Sequence, residues 1–334
     1  MKTSLRTTSL VLTALILGSL LFASEPGPKS KHLGIQLYSV KSIDSDLEGA
    51  LKSLQQDGYK VIEIANYVTE ERKVEGLSPV AFTALAEKYG MDIISSHARG
   101  KFDANDVAGS LEEWGMIFDD HKAMGCKYVV LPSNRWADNP EELIVQCDLM
   151  NKIGEEASKR GIKFGYHNHN MEFEKVSGTD QLLEDFLIAN TDPEKVFFQL
   201  DVYWITVGGQ DPVTYMKKYP DRIKLLHIKD DYVIGESGKI DYAPIFKQFY
   251  KNGGEDWFVE LEQYMTDEQR AEMRARMEEM RKRQSESGQA GQGGERPRWT
   301  PPKRTPEENA ELLKTSLEGI SKSAAYLNSA KFVK

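Results

Sequence analysis

Cysteine is scarce. The chain has two, Cys126 and Cys147, in 334 residues. Two cannot make a disulfide framework of the kind that staples small secreted domains. Cys126 opens an expected strand and Cys147 lies in an expected helix, so both read as buried free thiols without metal-ligand spacing. Excess positive charge is also missing. Lys and Arg total 43 against 52 Asp and Glu, which gives a net charge of −9 and a pI near 5.4. General nucleic-acid binding, which needs a basic face, is not expected. No Gly-x-Gly-x-x-Gly follows the first strand, so the open dinucleotide-binding sheet lacks its fingerprint. Long apolar runs are absent too. Leu10–Phe22 spans about 13 residues, short of the ~20 that a membrane-spanning helix needs.

That apolar run has a different meaning. Lys2 and Arg6 precede it, and Phe22-Ala23-Ser24 is followed by Glu25 and Pro26. A positive start, an apolar stretch and small residues make a secretory signal peptide pattern over residues 1–24. A cleaved leader, an exported and periplasmic protein, and no stable membrane insertion are the expectations. The mature chain is expected to be one catalytic domain over residues 31–334.

Eight short apolar runs recur along it: Leu33–Tyr38, Lys60–Ile64, Met91–Ser95, Lys127–Leu131, Ile162–His167, Val196–Leu200, Ile223–His227 and Trp257–Leu261. Helical patterns lie between them: Leu47–Gln56, Pro79–Tyr89, Leu111–Met124, Glu141–Arg160 and Thr179–Ala189. Gly58, Gly90, Gly125 and Gly161 announce four of the strands, as helix-ending glycines do. Strands alternating with helices imply a parallel sheet, and eight imply a (β/α)8 TIM barrel. The rhythm breaks at Met265–Thr305, a charged and then Gly-, Gln- and Pro-rich insertion between the last strand and the last helix. Met273, Met277 and Met280 stand at helical spacing within it. The ends of the insertion are expected at the rim, and the segment itself is either a solvated charged arm or one that shapes access for a bulky substrate or reaches a second copy of the chain in a homo-oligomer. The last helix, Pro306–Leu327, is expected to open with a capping box of Thr305 and Glu308.

Histidine is rare as well, six in all. Two stand one residue apart in "GYHNHNMEF", Gly165–Phe173. Alternate strand residues face a barrel's axis, and catalytic groups collect at the carboxyl ends of the strands. Alternation places His167 and His169 inward on the fifth strand, Asp201 with Gln199 on the sixth, His227 with Lys229 on the seventh, and Glu260 with Glu262 on the eighth. Glu63 faces inward on the second, and His97 ends the third. Each residue alone has an ordinary explanation, such as a hydrogen-bonded core histidine or a capping aspartate. Four consecutive strands bringing imidazole, carboxylate, imidazole and carboxylate to one rim point instead to a divalent cation, because unpaired charges are costly to bury. Mixed nitrogen and oxygen donors suit Mn, Co, Zn, Fe or Ni.

The sequence resembles the xylose isomerase-like barrel superfamily, in its sugar phosphate isomerase/epimerase group. "LGIQLYSV", "GYHNHNMEF", "LDVYW", "GGQDPVTYMKK", "LLHIKD" and "FVELEQY" carry the resemblance. It implies a metal set of glutamate, aspartate, histidine and glutamate, which falls on His167, Asp201, His227 and Glu260. The first position departs from the pattern, being histidine instead of glutamate. Trp204 departs too, standing where relatives often carry histidine; it either faces a sugar ring or packs. The resemblance implies enolisation of a keto-sugar. Because relatives that shuttle protons use a glutamate at the His167 position, β-elimination or the reverse hydration, as in inosose dehydratases, is expected before epimerisation or isomerisation. An exported member is expected to meet 3-keto-glycosides. His169 is expected as base, Lys229 as the charge that neutralises an enolate, and Glu260 as both ligand and catalytic group. Tyr38, Glu63, His97, Glu172, Trp204 and Glu262 are expected around a small carbohydrate. A non-catalytic sugar-binding protein is the reading from a different class.

Overall fold

The structure is a computed structural model. It describes residues 31–265 and 304–334, with Glu268, Ala271, Glu272, Ala275 and Glu279 between them. The expected leader and most of the expected insertion, including its methionine stripe, lie outside the described residues. No described helix is long and apolar enough to cross a membrane.

The apolar runs become eight strands: β1 (Leu33–Gln36), β2 (Tyr59–Ile64), β3 (Asp92–His97), β4 (Tyr128–Leu131), β5 (Lys163–His167), β6 (Val196–Asp201), β7 (Ile223–Ile228) and β8 (Trp257–Val259). All pair in parallel, and β1 joins both β2 and β8, so the sheet closes into a barrel. Both faces of such strands are covered, which is why they read as nearly continuous apolar runs. Nine helices among the described residues link and flank them. The four used below are α3 (Val107–Ala123) and α4 (Pro140–Ser158), then α5 (Leu183–Asn190) and α6 (Val202–Val207). Asp106 and Asn139 cap α3 and α4 through their side chains. Gly58, Gly90, Gly125 and Gly161 all take the left-handed backbone that the turn into each strand requires. Thr305 and Glu308 form the expected capping box on the last helix, Pro306–Ser329.

Three boundaries differ from expectation. β1 ends at Gln36, whose side chain accepts from the Tyr38 amide at 3.2 Å and turns the chain into a 3-10 segment, Leu37–Ser39. β8 ends at Val259, although the Glu260 amide still donates to the Ile228 carbonyl at 3.1 Å. Helix α5 begins at Leu183 because the Thr179 hydroxyl bonds locally to the Val176 carbonyl and Lys175 bridges Leu182.

Inside the barrel, Val61, Ile94, Val130, Phe197, Leu225 and Phe258 form a buried apolar plug. A Cβ on Gly165 would fall 2.5 Å from the Phe197 ring, so glycine here makes room for the plug. Two residues beyond plug members or Gly165 stand Glu63, His167, Gln199, His227 and Glu260. Strand alternation thus turns an apolar floor into a polar layer in a single step.

Candidate metal and active site

Ligand atoms of His167, Asp201, His227 and Glu260 all lie within 4.8 Å of one another. β5, β6 and β7 supply the first three, and the residue after β8 supplies the fourth. His97 joins His167 and His227 in an overlapping cluster. Its ring stacks on His227 with centroids 5.1 Å apart.

Asp201 uses one oxygen structurally. Oδ1 accepts from the Tyr203 and Trp204 amides, each at 2.9 Å, and caps α6. Oδ2 is buried without a hydrogen-bond partner. An orphaned buried carboxylate oxygen is costly. Burial raises the Asp201 pKa to about 7, against the pull of Lys229. His227 Nδ1 lies 2.5 Å from Glu260 Oε2, and its Nε2 bonds Glu63 Oε1. Burial lowers the His227 pKa, but the two carboxylates outweigh it and lift the value to about 10. His227 thus stands between two carboxylates, one at each ring nitrogen. The orphaned oxygen and the two-nitrogen, two-oxygen donor set fit a divalent transition metal.

The sequence-predicted residues divide by depth. A cleft of about 1200 Å³ opens over the barrel end, and His97, His167, His169, Glu260, Glu262 and Tyr38 all line it. Neither ring nitrogen of His169 has a hydrogen-bond partner among the described residues, and burial holds its pKa below the usual value. The Tyr38 hydroxyl donates to Glu262 Oε2 at 3.3 Å, and burial, with Glu262, raises its pKa to about 12.

The other expected contacts lie deeper or are already engaged. Glu63 is fully buried and bonds Gln36, Ser95, Gln199 and His227, so it cannot reach a substrate. Glu172 lines the cleft, but both oxygens are engaged. Oε1 accepts from the Tyr166 hydroxyl at 2.6 Å and Oε2 from the His169 amide at 2.8 Å. It anchors the His169 loop with both oxygens. Trp204 does not line the cleft; it packs beside His169, with ring centroids 5.7 Å apart, and under the Lys229 ammonium. Lys229 is 1% exposed, bonded to Glu262 Oε1 at 2.6 Å and 3.3 Å from Glu260 Oε1. Burial lowers its pKa, but Glu260 and Glu262 more than compensate. It is a fixed cation behind the two glutamates.

Arg99, Asn134 and Trp136 also line the cleft, from the loops after β3 and β4, and strand periodicity gave no sign of them. Gln199, at the centre of the polar layer, was legible as an inward residue but not as a functional one.

A family model described as xylose isomerase-like TIM barrel matches residues 51–283. An inosose dehydratase of Clostridium botulinum is 25% identical over 259 residues, 66% of this chain and 83% of that protein. A solved structure of a sugar phosphate isomerase/epimerase from Parabacteroides distasonis is 30% identical, with a TM-score of 0.74, covering 93% of this chain and all of that one. The zinc-bound IolI protein shares the fold alone, at 17% identity and a TM-score of 0.54, covering 69% of this chain and 88% of its own. The chain belongs to the xylose isomerase-like TIM barrel family.

Proposed function

We propose that the protein is a divalent-metal-dependent lyase that enolises a keto-sugar and expels the substituent β to the carbonyl, with 3-keto-glycosides as the substrate class. The observation that carries this reading is His169. It stands in the cleft with neither ring nitrogen hydrogen-bonded among the described residues, next to a histidine where the family's proton-shuttling members place a carboxylate. One neutral base suits elimination better than a two-carboxylate relay. The curated relatives are named as dehydratases, which expel water, and this supports the reading.

His167, Asp201, His227 and Glu260 would hold the ion, for which Mn, Co, Zn, Fe and Ni are the candidates. Bound there, it supplies Lewis acidity toward the substrate's carbonyl. His169 takes the proton from the carbon between the ketone and the anomeric centre. That electron pair forms the new carbon–carbon double bond as the anomeric carbon–oxygen bond breaks. The proton on His169 is then available to the departing oxygen. Lys229, held behind Glu260 and Glu262, keeps the site positive as negative charge develops. Tyr38 and Glu262, on the cleft wall, would hold sugar hydroxyls. The leader expected at residues 1–24 makes the periplasm its place of action.

Epimerisation or isomerisation is the second reading, supported by the isomerase/epimerase name of the 30%-identical structure and by Glu260 in the cleft wall as a second proton carrier. Incubating metal-loaded protein with keto-sugars and 3-keto-glycosides in deuterated water tests both. Release of the aglycone is the expected result. Deuterium uptake without release would replace elimination by epimerisation, and neither would leave a sugar-binding protein.

A further inference from the structure

Gln199 lies on β6 at the centre of the polar layer, fully buried between Glu63 and two imidazoles. Its two ends are assigned by chemistry. Nε2 lies 2.9 Å from Glu63 Oε2. An ionised carboxylate only accepts, so the amide nitrogen must face it. Donors surround Glu63: Oε2 accepts from the Ser95 hydroxyl at 2.6 Å, and Oε1 accepts at 3.0 Å from Nε2 of Gln36, whose own oxygen is taken by the Tyr38 amide. Oε1 of Gln199 therefore faces the rings, 2.7 Å from His97 Nε2 and 3.2 Å from His167 Nδ1. A carbonyl oxygen only accepts, so both ring nitrogens must donate. With Nδ1 of His167 donating to Gln199, Nε2 is the nitrogen left to face the ion. His227 has a carboxylate at each nitrogen, but Nδ1 faces Glu260, itself a ligand, so a cation held with Glu260 would take the place of the Nδ1 proton. Its Nε2 donates to Glu63 Oε1, which also accepts from the Gln36 amide at 3.0 Å, while the Ser95 hydroxyl holds the other oxygen at 2.6 Å.

We infer that Gln199 and Glu63 set the tautomers of two metal-binding imidazoles, so that His167 offers Nε2 and His227 offers Nδ1 to the cation. Gln199 and Glu63 are positioning residues: they touch neither substrate nor ion. Partners of this kind orient a ligating ring and raise its basicity. The arrangement also accounts for histidine at position 167. A glutamate there needs no acceptor behind it, whereas a neutral imidazole needs one to fix which nitrogen faces the ion. The inference rests on the metal reading above.

The test uses full-length protein with 15N-labelled histidine, loaded with Zn2+, in which long-range proton–nitrogen correlations report the protonated nitrogen of each ring. Protonated Nδ1 on His167 and protonated Nε2 on His227 are expected. Gln199→Leu should weaken Zn2+ binding by roughly 10- to 100-fold in competition with a chelator. Gln199→Glu, which restores an acceptor toward the rings, should recover part of the loss. A wild type that takes up no Zn2+ would overturn the metal reading and this inference with it. Zn2+ binding with the opposite tautomers, or with unchanged affinity in Gln199→Leu, would overturn this inference alone.

Discussion

Asp201 divides two tasks between two oxygens. Oδ1 begins α6 by accepting two amides, while Oδ2 is left buried and alone. Side-chain caps of this kind contribute about 1 kcal/mol, so removing the whole carboxylate confuses folding with function. His169 is the cleaner residue for testing chemistry. Its ring makes no hydrogen bond among the described residues, while its backbone is held by Glu172. His169→Gln is therefore expected to keep the fold and the metal, and to lose solvent exchange at the carbon next to the substrate's carbonyl. A general base contributes typically 100- to 10,000-fold, so the loss should be of that order in exchange rate followed by proton NMR. Undiminished exchange would reduce His169 to a substrate contact.

Loops after β4 and β5 are coupled at the level of elements. The Trp136 indole donates to the Tyr166 hydroxyl at 2.8 Å, and Tyr166 donates to Glu172, which holds the His169 amide. The back of the barrel has a comparable link between β3 and α3. His121 Nδ1 donates to the Ile117 carbonyl at 2.6 Å, and Nε2 accepts from the Ser96 hydroxyl at 2.8 Å. Its ring is fully buried, and burial lowers its pKa to about 4. A histidine whose folded pKa lies below its unfolded value stabilises the fold least in acid. Above about pH 6.5 both states are neutral there and nothing is lost; as pH falls toward 4 the unfolded chain takes up a proton that the folded chain refuses. This group should cost roughly 3 kcal/mol of unfolding free energy across that window. His121→Gln removes the titration. The gap in stability between wild type and variant, measured by urea unfolding, should be largest near pH 7 and shrink by about that amount near pH 4. A gap independent of pH would contradict this account of the β3–α3 link.

The molecule as a whole was legible where periodicity carries information. Eight apolar runs, four of them announced by glycines, specify the closed barrel, and alternation put His167, Asp201, His227 and Glu260 on the inner face of one end. Depth was not legible. Glu63 and Glu172 are inward or rim glutamates by pattern, yet one is fully buried among polar partners and the other anchors its own loop. Their depth depends on how the strands are staggered around the barrel, as with the bulge where Ile62 pairs with Ile93 but Glu63 with Ser95. Gln199 was passed over because an amide carries neither charge nor metal affinity; its role exists only once Glu63 and the imidazoles surround it. Arg99, Asn134 and Trp136 come from loops, whose paths follow from tertiary packing and not from any repeat. The central claim is that the inward His, Asp, His and Glu hold one catalytic cation. Metal analysis of the full-length protein, stripped with chelator, reloaded with Mn2+, Co2+ or Zn2+ and then dialysed, tests it most directly. The account predicts one ion per chain in the wild type, and none in Asp201→Asn, which keeps the Oδ1 cap of α6 and removes the carboxylate charge. A wild type that retains no ion, or an Asp201→Asn variant that retains one, would contradict it.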